Sequence, residues 1–157
     1  MNTESVPQHD PEPGRAEFRI SGWDHDGLAT IEAAGHDLRS TLEAGLRAVL
    51  ALSEVRPPSG RPADKSVAVQ GEGKDPASLF AALVNDVLDQ AELYGDADAI
   101  AVDGVLRRDD GGYLAWGYLS GSFTAGPVGA RPMLTGEIHS QEEGHGELVL
   151  TATLRRQ

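Results

Sequence analysis

Three titratable side chains stand side by side near the start of the chain, at Asp24-His25-Asp26. A histidine between two carboxylates has the parts of an acid–base pair, and the carboxylates are oxygen donors of the kind hard cations select. Asp24 and Asp26 are the metal candidates, and His25 is the neighbouring candidate. Adjacent residues rarely all reach one ion, so such a site needs donors from elsewhere in the chain. The same tripeptide runs into Gly27, and Asp-Gly is a hairpin signal in its own right. His139 ends an apolar run and is the second histidine candidate; His9, His36 and His145 fall in polar stretches with no identifiable partner. Asp86 and Asp89 lie three residues apart on a helical pattern and share one side of it with Glu92. They can contribute to a cation site, meet a basic partner, or simply solvate the helix. There is no H-E-x-x-H zinc motif, no phosphate-binding G-x-x-x-x-G-K-[ST] loop and no G-x-S-x-G elbow. Gly121–Gly129 is glycine-rich but carries no lysine.

The elements that must position these groups follow from periodicity. Residues 1–15 hold Pro7, Pro11 and Pro13 and almost nothing apolar, so a disordered tail is expected, followed by one domain over 16–157. Residues 16–22 alternate and read as a strand, 23–27 as a turn, and 28–34 as the returning strand, ending at Gly35. Asp37 is placed to cap a helix whose stripe is Leu38, Leu42, Leu46, Val49 and Leu50. Arg39, Glu43 and Arg47 fall on its other side, with Glu43 and Arg47 four apart as an ion pair. Residues 56–64 hold three prolines and read as a loop. Residues 65–71 form a strand. Asp75-Pro76 then starts a second helix, with Asp at the cap and Pro at the first turn. Its apolar face is wide, from Leu79, Leu83 and Val87 beside Phe80, Val84 and Leu88. Strands are expected at 99–106, 113–123, 133–140 and 147–154, broken at 109–112, 125–132 and 142–146. The order ββαβαββββ with short connections predicts an α+β fold, a mostly antiparallel or mixed sheet with two helices packed on it.

The chain has 157 residues, about one domain's worth, and no cysteine. Disulfide scaffolds, thiolate zinc sites and cysteine nucleophiles are therefore excluded. No apolar run reaches the ~18 residues of a membrane span, and the polar first ten residues do not read as a signal peptide. A cytoplasmic, membrane-free protein is the expectation. The 25 acidic residues outnumber 13 basic ones, for a net charge of −12. Between Asp75 and Asp103 there are seven acids and no Lys or Arg. Nucleic acids are held by clustered cations, so direct nucleic-acid binding is not expected. An acidic surface suits a basic protein, a cation, or solubility.

Read together, these segments resemble the archease family. DHDGLATIEAAG, at 24–35, has the length of that family's Asp-His-Thr-Ala-Asp motif with its following strand. HDLRSTLEAGLRAVLAL (36–52) and SLFAALVNDVLDQAELY (78–94) resemble its two helices. IHSQEEGHGELVL (138–150) resembles its last hairpin, which carries a Tyr-His pair. The likeness spans roughly residues 16–154. It implies a small acidic α+β protein that is an accessory factor rather than an enzyme. Such factors activate the RNA ligase that joins tRNA exons, promoting its guanylylation and multiple turnover, and bind calcium or magnesium through clustered acidic residues. Asp24 and His25 match the motif's opening. Asp26 and Gly27 stand at its Thr and Ala, and Leu28 stands where it has its second Asp. His139 matches the His of the pair, with Ile138 in place of Tyr. The family's C-terminal Asp has no counterpart in 150–154. A Leu offers no oxygen to a hard cation, so the resemblance implies the scaffold with a weakened or lost metal site.

Three functions follow as expectations. The first is an RNA-ligase accessory protein working by protein contact. The second is an archease-fold binding module that has lost the metal and acts on another protein or a small ligand. The third is a hydrolase using Asp24, His25 and His139, which requires both histidines in one cleft.

Overall fold

The computed structural model describes residues 16–52, 65–94, 97, 99–121, 132–142 and 146–156. The tail at 1–15, the proline-rich loop at 56–64, most of the break at 125–132, the centre of the turn at 142–146, and His9 and His145 lie outside these residues.

Each helix begins where a carboxylate takes up its first amides. In α1 (Leu38–Leu52), Asp37 Oδ1 accepts from the Ser40 N–H at 2.8 Å, and Thr41 Oγ1 donates to the Asp37 carbonyl. In α2 (Pro76–Tyr94), Asp75 Oδ1 accepts from the Ser78 N–H, and Ser78 Oγ accepts in return from the Asp75 N–H. That is a reciprocal cap, with serine at the position where Glu or Gln is usual. The bonds from Ser78, backbone first and hydroxyl second, hold the Asp75 carboxyl below its ordinary pKa.

Seven strands complete the order β1 (Ala16–Ser21), β2 (Leu28–Gly35), α1, β3 (Lys65–Gly73), α2, β4 (Ala99–Arg107), β5 (Tyr113–Gly121), β6 (Pro132–Glu142) and β7 (Leu148–Arg156). All pairings are antiparallel. The order and α+β class are those read from the sequence. The strands, however, divide into two sheets, β1-β2-β7-β6 and β3-β5-β4. Alternation reveals which face of a strand is apolar but not which strand lies beside it, so this division had no signal in the pattern.

Both helices serve both sheets. α1 packs on β1, β2 and β7 of the larger sheet and on β4 of the smaller; α2 packs on β3 and β5 of the smaller and on β6 of the larger. One core results, joining Leu42, Leu46 and Val49 to Leu79, Phe80, Leu83 and Val84, with Ile31, Leu150 and Leu154 from one sheet and Val69, Ile100 and Leu119 from the other. The helices meet at Gly45, where an added Cβ would lie 2.6 Å from Phe80 Cε1. A ring that is fully buried cannot retreat.

The smaller sheet is tied in by carboxylates at both edges. Glu43 projects from α1 to β4, where Oε2 accepts from the Val102 N–H at 2.9 Å; Arg39 Nη1 donates to the Val102 carbonyl at 2.8 Å. Asp86 projects from α2 to β3, where Oδ2 accepts from the Gln70 N–H at 2.8 Å. Exposed sheet edges template aggregation, and these contacts occupy both. The expected Glu43–Arg47 pair is present at 2.9 Å, but the Glu43 side chain is only 14% exposed and its second oxygen serves the strand. A β-bulge follows at Val102/Gly104, and the Trp116 indole lies over Gly104, 2.4 Å from where a Cβ would stand.

Two substitutions test this architecture. Gly45→Ala gains about 1 kcal/mol of helix propensity but overpacks Phe80 at a cost of about 1–3 kcal/mol. Chemical denaturation should show net destabilisation, and the loss should shrink in a Phe80→Leu background. Glu43→Ala should cost about 1.5–3 kcal/mol by leaving the Val102 amide without its charged acceptor. Glu43→Gln, which keeps an acceptor oxygen, should lose less by the same measurement.

Candidate functional site

The Asp24–Gly27 turn joins β1 to β2 and is closed by its own hydrogen bonds. Asp24 Oδ1 accepts from the Asp26 N–H at 2.8 Å and the Leu28 N–H at 3.0 Å. The Asp24 N–H donates to the Leu28 carbonyl, and the Gly27 N–H to the Asp24 carbonyl. Gly27 sits at φ 76°, which only glycine adopts without strain. Its carbonyl accepts from the Arg156 N–H, and the Arg156 guanidinium stacks over Trp23 at 5.4 Å, so the turn is anchored to the end of β7. Asp24 is thus the organiser of an Asx turn. The Leu28 amide does most to hold its carboxyl below the ordinary pKa, helped by the Asp26 amide and the His25 charge, against some desolvation.

The side chains of His25 and Asp26 stand outside this lattice of bonds. Their side chains are 91% and 69% exposed, with Nε2 and Oδ2 3.5 Å apart. His139 is exposed on the outward face of β6 opposite Thr151; the row continues through Glu32 to Arg19 at the far edge. The turn abuts Arg155, because Leu28 pairs with it. Four residues along β7 separate that point from Thr151, about 13 Å of strand. The register therefore does not bring His25 and His139 into one cleft, and the hydrolase expectation loses its site. His36 is exposed between β2 and α1.

Asp86 and Asp89 are separated in role. Asp86 spends one oxygen on the Gln70 amide and the other on the Gln90 side chain at 3.4 Å, while Asp89 is exposed. Among the described residues no group of three His, Asp or Glu side chains is arranged to hold a metal ion. The turn's donor set also does not fit a hard cation on its own chemistry. One Asp24 oxygen is committed to two amides, and Leu28 supplies none.

Sequence reasoning missed Glu43, whose signal was an acid flanked at four residues on either side by arginine. It also missed the open basin of about 500 Å³ beside the N-terminus of α2, lined by Glu72, Lys74, Arg108, Asp110 and Tyr113 together with glycines of the β4–β5 turn. That basin is balanced in charge, and its Arg108 is paired with Glu72 at 2.8 Å.

The solution structure of Methanobacterium thermoautotrophicum protein 1598, a known archease-family structure, superposes with a TM-score of 0.65 at 19% identity. The match covers 90% of this chain and 99% of that one. The fold is archease-like. No family model matches the chain, and no curated protein does. The Asp24 turn lies between the first two strands. No helix among the described residues is long and apolar enough to cross a membrane.

If Asp24 is a turn organiser, an acceptor oxygen is required and the negative charge only strengthens the bonds. Asp24→Asn should leave the Leu28 and Asp26 amides protected in hydrogen exchange; Asp24→Ala should expose both. In the wild type the folded-state pKa is lowered, so the charge's contribution to these bonds is complete above the ordinary carboxylate pKa and is lost as pH falls through the lowered value, leaving a protonated carboxyl that still offers an acceptor oxygen. Amide protection at Leu28 should therefore hold at mildly acidic pH and fade only under strong acid.

Proposed function

We propose that this chain is an archease-like accessory protein that assists the RNA ligase of tRNA splicing by protein contact. The observation that carries the reading is the archease-like fold, matched across nearly the whole of both chains. Charge supports it. An enzyme that holds RNA must present cations, and a partner with a net charge of −12 complements such a surface. The chemistry belongs to the ligase on this reading, and the contribution of this chain is to bias the ligase toward its guanylylated, turnover-competent state. Such a bias requires only that the chain bind that state more tightly than the other.

A second reading is favoured by the turn. Asp24 is committed to backbone amides and Leu28 stands at a donor position of the motif, so the chain also fits an archease-fold binding module without the cation, acting on a different protein or a small ligand. The two readings separate in one assay. The RNA ligase from the same organism is guanylylated with and without this chain, and ligation is followed over many turnovers. Stimulation that weakens as salt rises is the expected result, with Asp24→Asn and Asp26→Asn as active as wild type. No stimulation at saturating chain would discard the ligase and leave the binding module. Stimulation lost in both aspartate variants would restore a cation at the turn, and calorimetric titration with calcium and then magnesium would identify it.

A further inference from the structure

Each edge of the smaller sheet has one amide taken by a carboxylate, whereas at the edges of the larger sheet, β1 and β6, no described carboxylate takes a strand amide; of the two, β1 carries the half-exposed Phe18 on its core-facing side. We propose that two copies of this chain pair antiparallel along β1, joining their four-stranded sheets into one continuous sheet. Charge and register argue for a second copy as the occupant. β1 reads AEFRIS, with Ala16, Phe18 and Ile20 on the core-facing side and Glu17, Arg19 and Ser21 facing out. When a strand pairs with itself on one edge, outward amides must meet outward amides, so the twofold axis must pass through a residue. An axis at Glu17 sets Glu17 against the partner's Glu17, and an axis at Arg19 sets Arg19 against the partner's Arg19. Like charges directly opposite are destabilising. An axis at Phe18 instead places Glu17 opposite the partner's Arg19, and Arg19 opposite the partner's Glu17. It also stacks Phe18 on the partner's Phe18 and sets Ala16 against the partner's Ile20.

Phe18 is the second observation. It lies on the core-facing side, paired with the buried Ala33, yet it is 40% exposed because the sheet stops there. A second β1 supplies the missing neighbour. Its ring completes an aromatic cross-strand pair at the rim of the core, and the outward backbone groups of both strands gain partners. The interface is one short strand per copy, which makes the association weak and reversible, with a dissociation constant on the order of 100 μM.

Sedimentation equilibrium of the full chain tests this from about 10 μM to about 1 mM. Wild type should pass from monomer to dimer over that range. Glu17→Arg and Arg19→Glu each create two like-charge contacts and should each raise the dissociation constant at least about tenfold. An equimolar mixture of the two variants restores opposite charges at both contacts and should dimerise like wild type, as should the double swap E17R/R19E. Both residues are exposed, but Arg19 stands opposite Glu32 within the chain and Glu17 opposite Ala34, so Glu17→Arg carries the test and a thermal melt of Arg19→Glu reports any loss of folding separately. A wild type that stays monomeric throughout would overturn the proposal. So would single variants that dimerise as wild type does, or a mixture that fails to associate, since either result would place the contact elsewhere or in another register.

Discussion

The carboxylate of Glu43 does what no apolar contact in this fold can do. It ties a helix that packs on the larger sheet to a backbone amide at the edge of the smaller one. α1 reaches β1, β2 and β7 through Leu42, Leu46 and Val49 and reaches β4 through Glu43 and Arg39. Apolar packing fixes separation and burial but is non-directional. A hydrogen bond to one particular amide fixes where along β4 the helix sits. Asp86 does the same between α2 and β3. Two short sheets sharing two helices can slide relative to one another unless something sets their register, and these two carboxylates are placed to do so. The Gly45–Phe80 contact then fixes how closely the helices approach.

This arrangement explains which features the sequence disclosed. The capping residues Asp37 and Asp75 were legible because a cap is local, a side chain and an amide three residues apart. The β4–β5 turn was legible for the same reason. Asp110 Oδ1 accepts from the Gly112 N–H, and Gly111 takes a positive φ of 90° within the predicted Asp-Asp-Gly-Gly run. The division into two sheets was not legible, since Val67 and Val69 alternate identically whichever strand lies beside them. By sequence Glu43 is half of an ion pair on the polar side of its helix, and Asp86 is part of an acidic ridge open to a cation, a basic partner or solvent. That is the right default for a charged residue off the apolar stripe, and it fails only where a strand edge arrives from a distant part of the chain.

The Asp24 turn shows a related ambiguity. Aspartate before His-Asp-Gly satisfies two separate physical demands, an oxygen donor for a cation and an acceptor for the amides of an Asx turn. Composition cannot separate them, and geometry can. Oδ1 lies within 3.0 Å of two backbone nitrogens, and the hydrogen bonds from those amides lower the carboxyl's pKa. The turn keeps its backbone bonds, and Leu28 at its end offers no oxygen. The strand–turn–strand geometry needs only those backbone bonds.

The acidic surplus divides in the same way. Of the seven acids between Asp75 and Asp103, Asp75 caps α2 and Asp86 closes β3, whereas Asp89, Glu92 and Asp103 face solvent. Charges of the first kind act within the fold and are unavailable to a partner. Those of the second kind meet a partner first, and exposed charges shape the rate and specificity of encounter more than its final affinity. A protein that contacts a basic enzyme through them would arrive quickly and leave readily, as repeated turnover of that enzyme requires. Apolar exposure is concentrated elsewhere, on the outward face of the smaller sheet. Trp116 and Tyr118 project from its central strand, Ala68 and Ala101 flank Tyr118, and Leu106 extends the face on β4. Because Trp116 lies over Gly104 it presents a flat ring rather than a ridge, and a flat aromatic surface buries area against many shapes at little cost in side-chain entropy.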